Sequence, residues 1–146
     1  MIAVDTNILV AFQRLEYPEH ARAVEVVTRL AEGQAPWALP WPCLHEFLAV
    51  VTHPRIFKTP TPLSHALTAA SALLESPRLR VLAEGPSHWA TLSRLVVAGR
   101  ITGPTVHDAR IAALCLAHGV TELWTADRDF SRFPELKTRN PLVLKT

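Results

Sequence analysis

The chain reads as an α/β protein in which short parallel strands alternate with helices. Three observations predict that class. The apolar run Ile2-Ala3-Val4 is too short for a helix and stops at an acid. Longer stretches carry apolar residues at the i, i+3, i+4 spacing of one helix face, and Gly or Pro stands at most junctions between the two patterns. Strands that alternate with helices close into a mostly parallel sheet, here of about five strands.

The first strand, Ile2-Ala3-Val4, ends at Asp5 and is followed by a polar turn. Val24, Val27, Leu30 and Ala31 predict an amphipathic helix over 18–32, with Pro18 at its start and Gly33 past its end. Residues 36–41 form a second strand. Pro42 opens a helix through Leu44, Phe47, Leu48 and Val51 that Pro54 stops, and a turn covers 56–62. Leu63, Ala66, Leu67, Ala70, Leu73 and Leu74 fit the helical template up to Ser76. A strand at 79–82 follows, then a helix marked by Trp89, Leu92 and Val96 and closed by Gly99. Ala109, Ala112, Ala113 and Leu116 mark the next helix, closed by Gly119. A strand at 122–126 ends on Asp127, and Leu142-Val143-Leu144 is the expected last strand.

A length of 146 residues suits one domain spanning 1–146. Hydrophobic residues at 49% against 19% charged exclude a disordered chain. No apolar run is long enough for a membrane span and no signal peptide opens the chain, so a cytoplasmic location is expected, with secretion by another route left open. Cys43 and Cys115 lack ligand spacing and read as buried, reduced thiols. A net charge of +2 permits a nucleic-acid partner without indicating one. Of the tryptophans Trp37, Trp41, Trp89 and Trp124, most are expected in the core.

Ligands of open parallel sheets bind beyond the carboxyl ends of the strands, and Asp5 and Asp127 stand there. Either alone is more often a helix N-cap than a catalyst, and two at strand ends weaken that reading. Glu46 shares a helix face with Cys43, Phe47 and Val50, so its carboxylate should project toward the apolar side, where it needs a metal or an arginine. Asp108 opens a helix in Thr105-x-x-Asp108, which resembles a capping box, although an acid in that turn also faces the strand ends. Four converging acids repel one another unless a cation stands among them. An all-carboxylate set suits Mg²⁺ or Mn²⁺ rather than zinc. His45 and His107 adjoin acids in sequence but should face elsewhere, and are not assigned as ligands. No GxGxxG, P-loop, GxSxG or HExxH pattern is present.

Four fragments in order then carry a resemblance: residues 4–9 (VDTNIL), 44–47 (LHEF), 106–113 (VHDARIAA) and 123–130 (LWTADRDF). Together they resemble the PIN-domain family, specifically its VapC-like toxins. The resemblance implies a Rossmann-like α/β/α sandwich and an endoribonuclease that hydrolyses RNA with water activated at carboxylate-bound Mg²⁺ or Mn²⁺. The products it implies carry a 5′-phosphate and a 3′-hydroxyl. By the family's motif Asp5, Glu46, Asp108 and Asp127 match the catalytic acids, with Asp5, Asp108 and Asp127 as metal ligands. Asn7 and Thr125 match supporting polar positions, and Asp129 an acid used in some members. Homodimers and a VapB-like antitoxin that covers the active-site groove are further implications, with tRNA or rRNA among the candidate substrates.

Arg55, Lys58, Arg128, Arg132 and Arg139 are candidate phosphate contacts. The segment 36–41 and the Ile56-Phe57 turn are candidate partner contacts, while the proline-rich stretch 58–62 fits no family motif and is a candidate dimer or substrate loop. Two other readings stay open at the level of sequence: a PIN-like nuclease of RNA processing or structured DNA, and a non-catalytic RNA-binding module whose acids are caps and salt bridges. A phosphatase-like fold is disfavoured because Asp5-Thr6-Asn7 lacks a second acid.

Overall fold

The computed structural model describes residues 1–144. Its strands are β1 (Ile2–Val4), β2 (Trp37–Pro40), β3 (Leu79–Leu82), β4 (Glu122–Trp124) and β5 (Thr138–Arg139). The α-helices are α1 (Thr6–Gln13), α2 (His20–Glu32), α3 (Trp41–Val51), α4 (Leu63–Leu74), α5 (His88–Gly99) and α6 (Val106–Ala117). Short 3₁₀ segments cover Gly103–Thr105 and Arg128–Arg132. The five strands lie in the order β3-β2-β1-β4-β5, every pair parallel.

Alternation along each strand divides the core in two. Ala3, Ala38, Leu82 and Leu123 face one side, where they pack with Leu95 of α5 and Ala109, Ala112 and Ala113 of α6. Val4, Trp37, Leu39 and Trp124 face the other, against Ile8 and Leu9 of α1, Val26 and Val27 of α2, Phe47 of α3 and Ala66 of α4. Both faces are covered, as an all-parallel sheet requires. Helix α3 spans the two layers: Cys43 belongs to the first cluster, Leu44 and Val51 to the second. It therefore straddles one end of the sheet, which brings Glu46 toward the end of β1.

Three expectations are corrected. The turn after Asp5 is helix α1, capped by the Asp5 carboxylate on Thr6 N. Ile8, Leu9, Val10 and Ala11 are all buried, so the helix shows no polar face by which its period could be read. The last strand is Thr138–Arg139, not 142–144. Leu123 N and Thr125 N donate to Lys137 O and Arg139 O, and the chain then turns away where Leu142 N donates to the Asn140 side chain. Val143 and Leu144 are exposed. Finally, Gly99 is the last residue of α5, and the left-handed residue after it is Arg100, at φ 51°. A Cβ on Gly99 would stand 3.0 Å from Ile101 Cδ1, so a larger residue there would have to push the Ile101 side chain aside by a few tenths of an ångström.

Smaller differences follow from side-chain direction. Val24 is exposed, and Ala23, Val26 and Val27 form the inner face of α2. Strand β2 is wholly buried, which removes 37–40 as a partner contact. Phe57 is buried beside Tyr17 and beneath the Arg14 guanidinium, whereas Ile56 is exposed. The proline-rich stretch is pinned, because Arg14 donates to Thr59 O and Thr61 Oγ1, and Thr61 N to Val51 O.

Candidate active site

The order β3-β2-β1-β4-β5 places the point at which the order of connection reverses between β1 and β4. Val4 pairs with Trp124, so Asp5 and Thr125 leave the two strands side by side. A pocket of about 210 Å³ opens there, lined by Asp5, Thr6, Asn7, Glu46, Asp108 and Asp127, with Val10, Tyr17 and Val50 as its apolar wall. At about 30 Å³ per water, that space suits a hydrated ion and a phosphate group rather than a large organic ligand. All four acids singled out in the sequence thus reach one pocket.

Asp5 is buried, and each of its oxygens is held. Thr6 N donates to Oδ1 at 2.8 Å, and Cys43 Sγ stands 3.4 Å from the same atom. Thr125 Oγ1 donates to Oδ2 at 2.7 Å, and Asn7 Nδ2 lies 3.4 Å from it. Burial pushes the Asp5 carboxyl above its ordinary value, against the hydrogen bonds from Thr125, Thr6 and Cys43, which favour the ionised form. Both cysteines are free and buried, as expected, and burial pushes the Cys115 thiol up to about 12. Residues Asn7 and Thr125 form a bridge between strand ends. The Thr125 hydroxyl also accepts from Asn7 Nδ2 and Asp127 N, and Asn7 Oδ1 accepts from Ala126 N.

On the far side, one carboxylate oxygen each of Asp108, Asp127 and Asp129 lies within 4.8 Å of the other two. Burial first, then the charges of Asp127, Asp5, Asp129 and Glu46, push the Asp108 carboxyl up to about 6. Among the described residues none of these five acids is paired with an arginine or lysine. The donor set is all oxygen and uncompensated, which fits Mg²⁺ or Mn²⁺. The compact group differs from the ligand set expected: Asp129 joins Asp108 and Asp127, and Asp5 forms the floor of the same pocket outside it.

The alternative capping roles divide. Asp5 caps α1, and Asp127 accepts from Asp129 N. Asp108 does neither, because Thr105 makes no side-chain cap and Asp108 turns into the pocket. Glu46 is exposed at the rim rather than set toward the apolar side, and Thr6 Oγ1 donates to its Oε2 at 3.1 Å. Position 46 sits at the border of the α3 apolar face, beyond Cys43 and Phe47, and that border cannot be placed by spacing alone. Thr6 and Cys43 were not anticipated as site residues. Thr6 follows a strand-end acid at the first position of α1, and the expectation of a turn there hides that signal.

None of the five cationic candidates lines the acidic pocket. Arg55, Arg128, Arg132 and Arg139 are exposed, and Lys58 lines a separate groove with Arg14 and His65. Trp37 and Trp124 are core residues, whereas Trp41 and Trp89 are exposed.

A parallel five-stranded sheet with an uncompensated acidic pocket at its switch point defines the class, and residues 2–136 match the PIN domain. Ribonuclease VapC43 of Mycobacterium tuberculosis is 38% identical over 142 residues, covering 97% of this chain and 96% of the relative. Ribonuclease VapC48 of the same organism is 30% identical over 137 residues, 94% of each chain. The chain belongs to the PIN-domain family and, within it, groups with the VapC ribonucleases. The crystal structure of Mycobacterium tuberculosis VapC20, described as a sarcin-ricin loop cleaving toxin, shares the fold with a TM-score of 0.66 at 21% identity, over 90% of this chain and 93% of that one. VapBC2 from Rickettsia felis, bound to a promoter DNA fragment, gives 0.68 at 21% identity over 95% and 98%.

Proposed function

We propose that the protein is a Mg²⁺- or Mn²⁺-dependent endoribonuclease toxin whose catalytic residues are Asp5, Glu46, Asp108 and Asp127. The observation that carries this reading is the set of acids gathered at one sheet end with no cationic side chain among them. A structural role for such a cluster would leave its mutual repulsion unrelieved. Asp108, Asp127 and Asp129 would hold the cation, with Asp5 facing it from the floor. When bound, it lowers the pKa of a coordinated water and offsets charge on the phosphoryl oxygens.

The remaining work belongs to the chain. Thr125 hydrogen-bonds the Asp5 carboxylate, favouring its ionised form against burial, and with Asn7 bridges the β1 and β4 ends. Glu46 stands apart from the compact group, its orientation set by Thr6, and in this reading accepts the proton of the attacking water. No covalent intermediate with the enzyme is needed, and the 2′-hydroxyl takes no part, so the products carry a 5′-phosphate and a 3′-hydroxyl.

A VapB-like antitoxin is the proposed inhibitor. Its support is that the fold neighbours include VapBC complexes from Rickettsia felis and nontypeable Haemophilus influenzae. A homodimer is supported by the exposed stripe Leu63, Leu67 and Leu74 along α4. Among the described residues no helix is long and apolar enough to cross a membrane. The proposed setting is the cytoplasm, where the RNA is.

Purified protein incubated with total cellular RNA and Mg²⁺ or Mn²⁺ tests the reading. Cleavage at mapped sites that is lost with EDTA and in a folded Asp108→Asn variant is the expected result. Cleavage that persists in both controls, or none with either metal, overturns it.

A further inference from the structure

We propose that the groove beside the acidic pocket is a nucleotide subsite, taking an unpaired RNA base against the Trp41–His45 stack and the adjoining phosphate against Arg110. The inference rests on the nuclease reading and names how its substrate is held.

The groove has a volume of about 510 Å³ and shares Glu46 and Asp108 with the acidic pocket, so the two are continuous. One wall comes from α3 through Pro42, His45 and Ala49; the other comes from Pro104, His107 and Arg110 at the start of α6. Its size falls in the range of small-ligand sites, ~300–1,000 Å³, whereas the acidic pocket at about 210 Å³ is too small for a nucleotide.

The chemistry of the walls suits an anion with a flat base. Trp41 and His45 lie one turn apart on α3, their ring centroids 6.0 Å apart and planes 24° from parallel. Of the two rings His45 lines the groove, and Trp41, stacked on it at the groove's edge, remains 36% exposed, which leaves indole surface for a further ring. Arg110 lines the groove while its guanidinium is paired with Glu84 in the loop after β3. The Glu84 contacts use Nε and Nη2, so the N–H groups of Nη1 remain for a phosphate oxygen. RNA is repelled by the four acids that line the neighbouring pocket, and the guanidinium of the Arg110–Glu84 pair, one groove away, is where its backbone can be held. The five cationic residues read from sequence do not line this groove; Arg110 does. A base in a duplex is already stacked, so the occupant is an unpaired nucleotide.

The test uses the Trp89→Phe protein, so that Trp41 is the remaining exposed tryptophan. An eight-nucleotide single-stranded RNA pool carrying a 5′ fluorescent label is titrated with Ca²⁺ present and Mg²⁺ and Mn²⁺ absent; Trp41 emission reports quenching in the parent, and label anisotropy reports affinity in every variant. Quenching is expected. Trp41→Ala and Arg110→Ala in that background should each weaken binding about tenfold, the scale of one lost base stack or one lost phosphate contact. Trp41→Phe should recover most of the affinity. Arg110→Ala should also reduce the slope of log affinity against log salt by about 0.7. With Mg²⁺, both alanine variants should raise KM for the mapped RNA with kcat within about twofold. An RNA that leaves Trp41 unquenched, or that binds the folded variants as tightly as the parent, overturns the subsite even if the parent cleaves RNA. Quenching with no cleavage by the parent keeps the subsite and overturns the nuclease reading.

Discussion

At the scale of single residues, the site is a set of carboxylates held against their own electrostatics. Asp108 shows the sign of the effect. Its carboxyl titrates at about 6 in the fold against 3.8 for the free group, so between those values the folded protein binds more protons than the unfolded chain. The Asp108 contribution to stability without metal therefore falls as pH rises through that window. Asp108→Asn removes the penalty: in EDTA its Tm should exceed the parent's by a few degrees at pH 7.5, with the difference vanishing near pH 4. A Tm difference independent of pH would show that Asp108 carries no such repulsion. Thr125 works in the opposite sense, since its hydroxyl stabilises the Asp5 anion and ties it to Asn7 and Asp127 N. Thr125→Val leaves those groups short of a partner and should cost about 1–3 kcal/mol in denaturant unfolding. Metal affinity should fall as well, because Asp5 then holds its proton to higher pH. Thr125→Ser, which keeps the hydroxyl, should restore both.

Legibility also differs residue by residue. Asp5 and Asp127 could be found because each directly follows an apolar strand, and strand ends are where parallel sheets place ligands. Asp129 and Asp108 approach within 4.8 Å through the fold of a 3₁₀ turn, and no periodicity encodes that distance. Arg110 could not be separated from other surface arginines before Glu84 and the groove were in view. Sequence spacing gives a residue's element and its face to within about a quarter-turn, which was enough to pair Cys43 with Phe47 but not to tell that Glu46 is exposed.

At the scale of elements, helices with an inner stripe are legible to within a few residues, α2 and α4 among them. Helix α1 is not, because a helix buried on most sides has no stripe. Strand β5 was misplaced because two exposed residues, Thr138 and Arg139, form the ladder while the apolar triplet after them does not. What holds the acid-bearing turn is aromatic: Phe130 and Phe133, rings 6.0 Å apart, are buried in the layer of α5 and α6. Phe133→Ala should cost about 3–5 kcal/mol and reduce metal affinity with it, since Asp127 and Asp129 sit on the turn those rings anchor. Arg100 makes a contrasting case. Its left-handed backbone is the kind that glycine adopts without strain. Arg100→Gly should raise stability by about 0.5–1 kcal/mol in chemical denaturation with RNA cleavage unchanged; a loss of stability would mean the arginine side chain holds the α5 end.

At the scale of the whole molecule, the same acids make folding and metal binding one equilibrium. Five uncompensated carboxylates raise the free energy of the empty fold, and any ion that binds the native state alone lowers it by RT ln(1 + [L]/Kd). Mg²⁺ or Mn²⁺ at ten times its dissociation constant should thus stabilise the protein by about 1.4 kcal/mol, read as a rise in Tm. Because Asp108 must lose its proton to act as a ligand, the gain should be small near pH 5 and grow as pH passes about 6. Asp108→Asn starts from a more stable empty fold at pH 7.5 and should gain little from metal, so the parent and variant curves of Tm against metal concentration should cross. Parallel curves would mean that the cation binds elsewhere, and a parent Tm unmoved by either ion would remove the support for a metal centre at the β1–β4 junction.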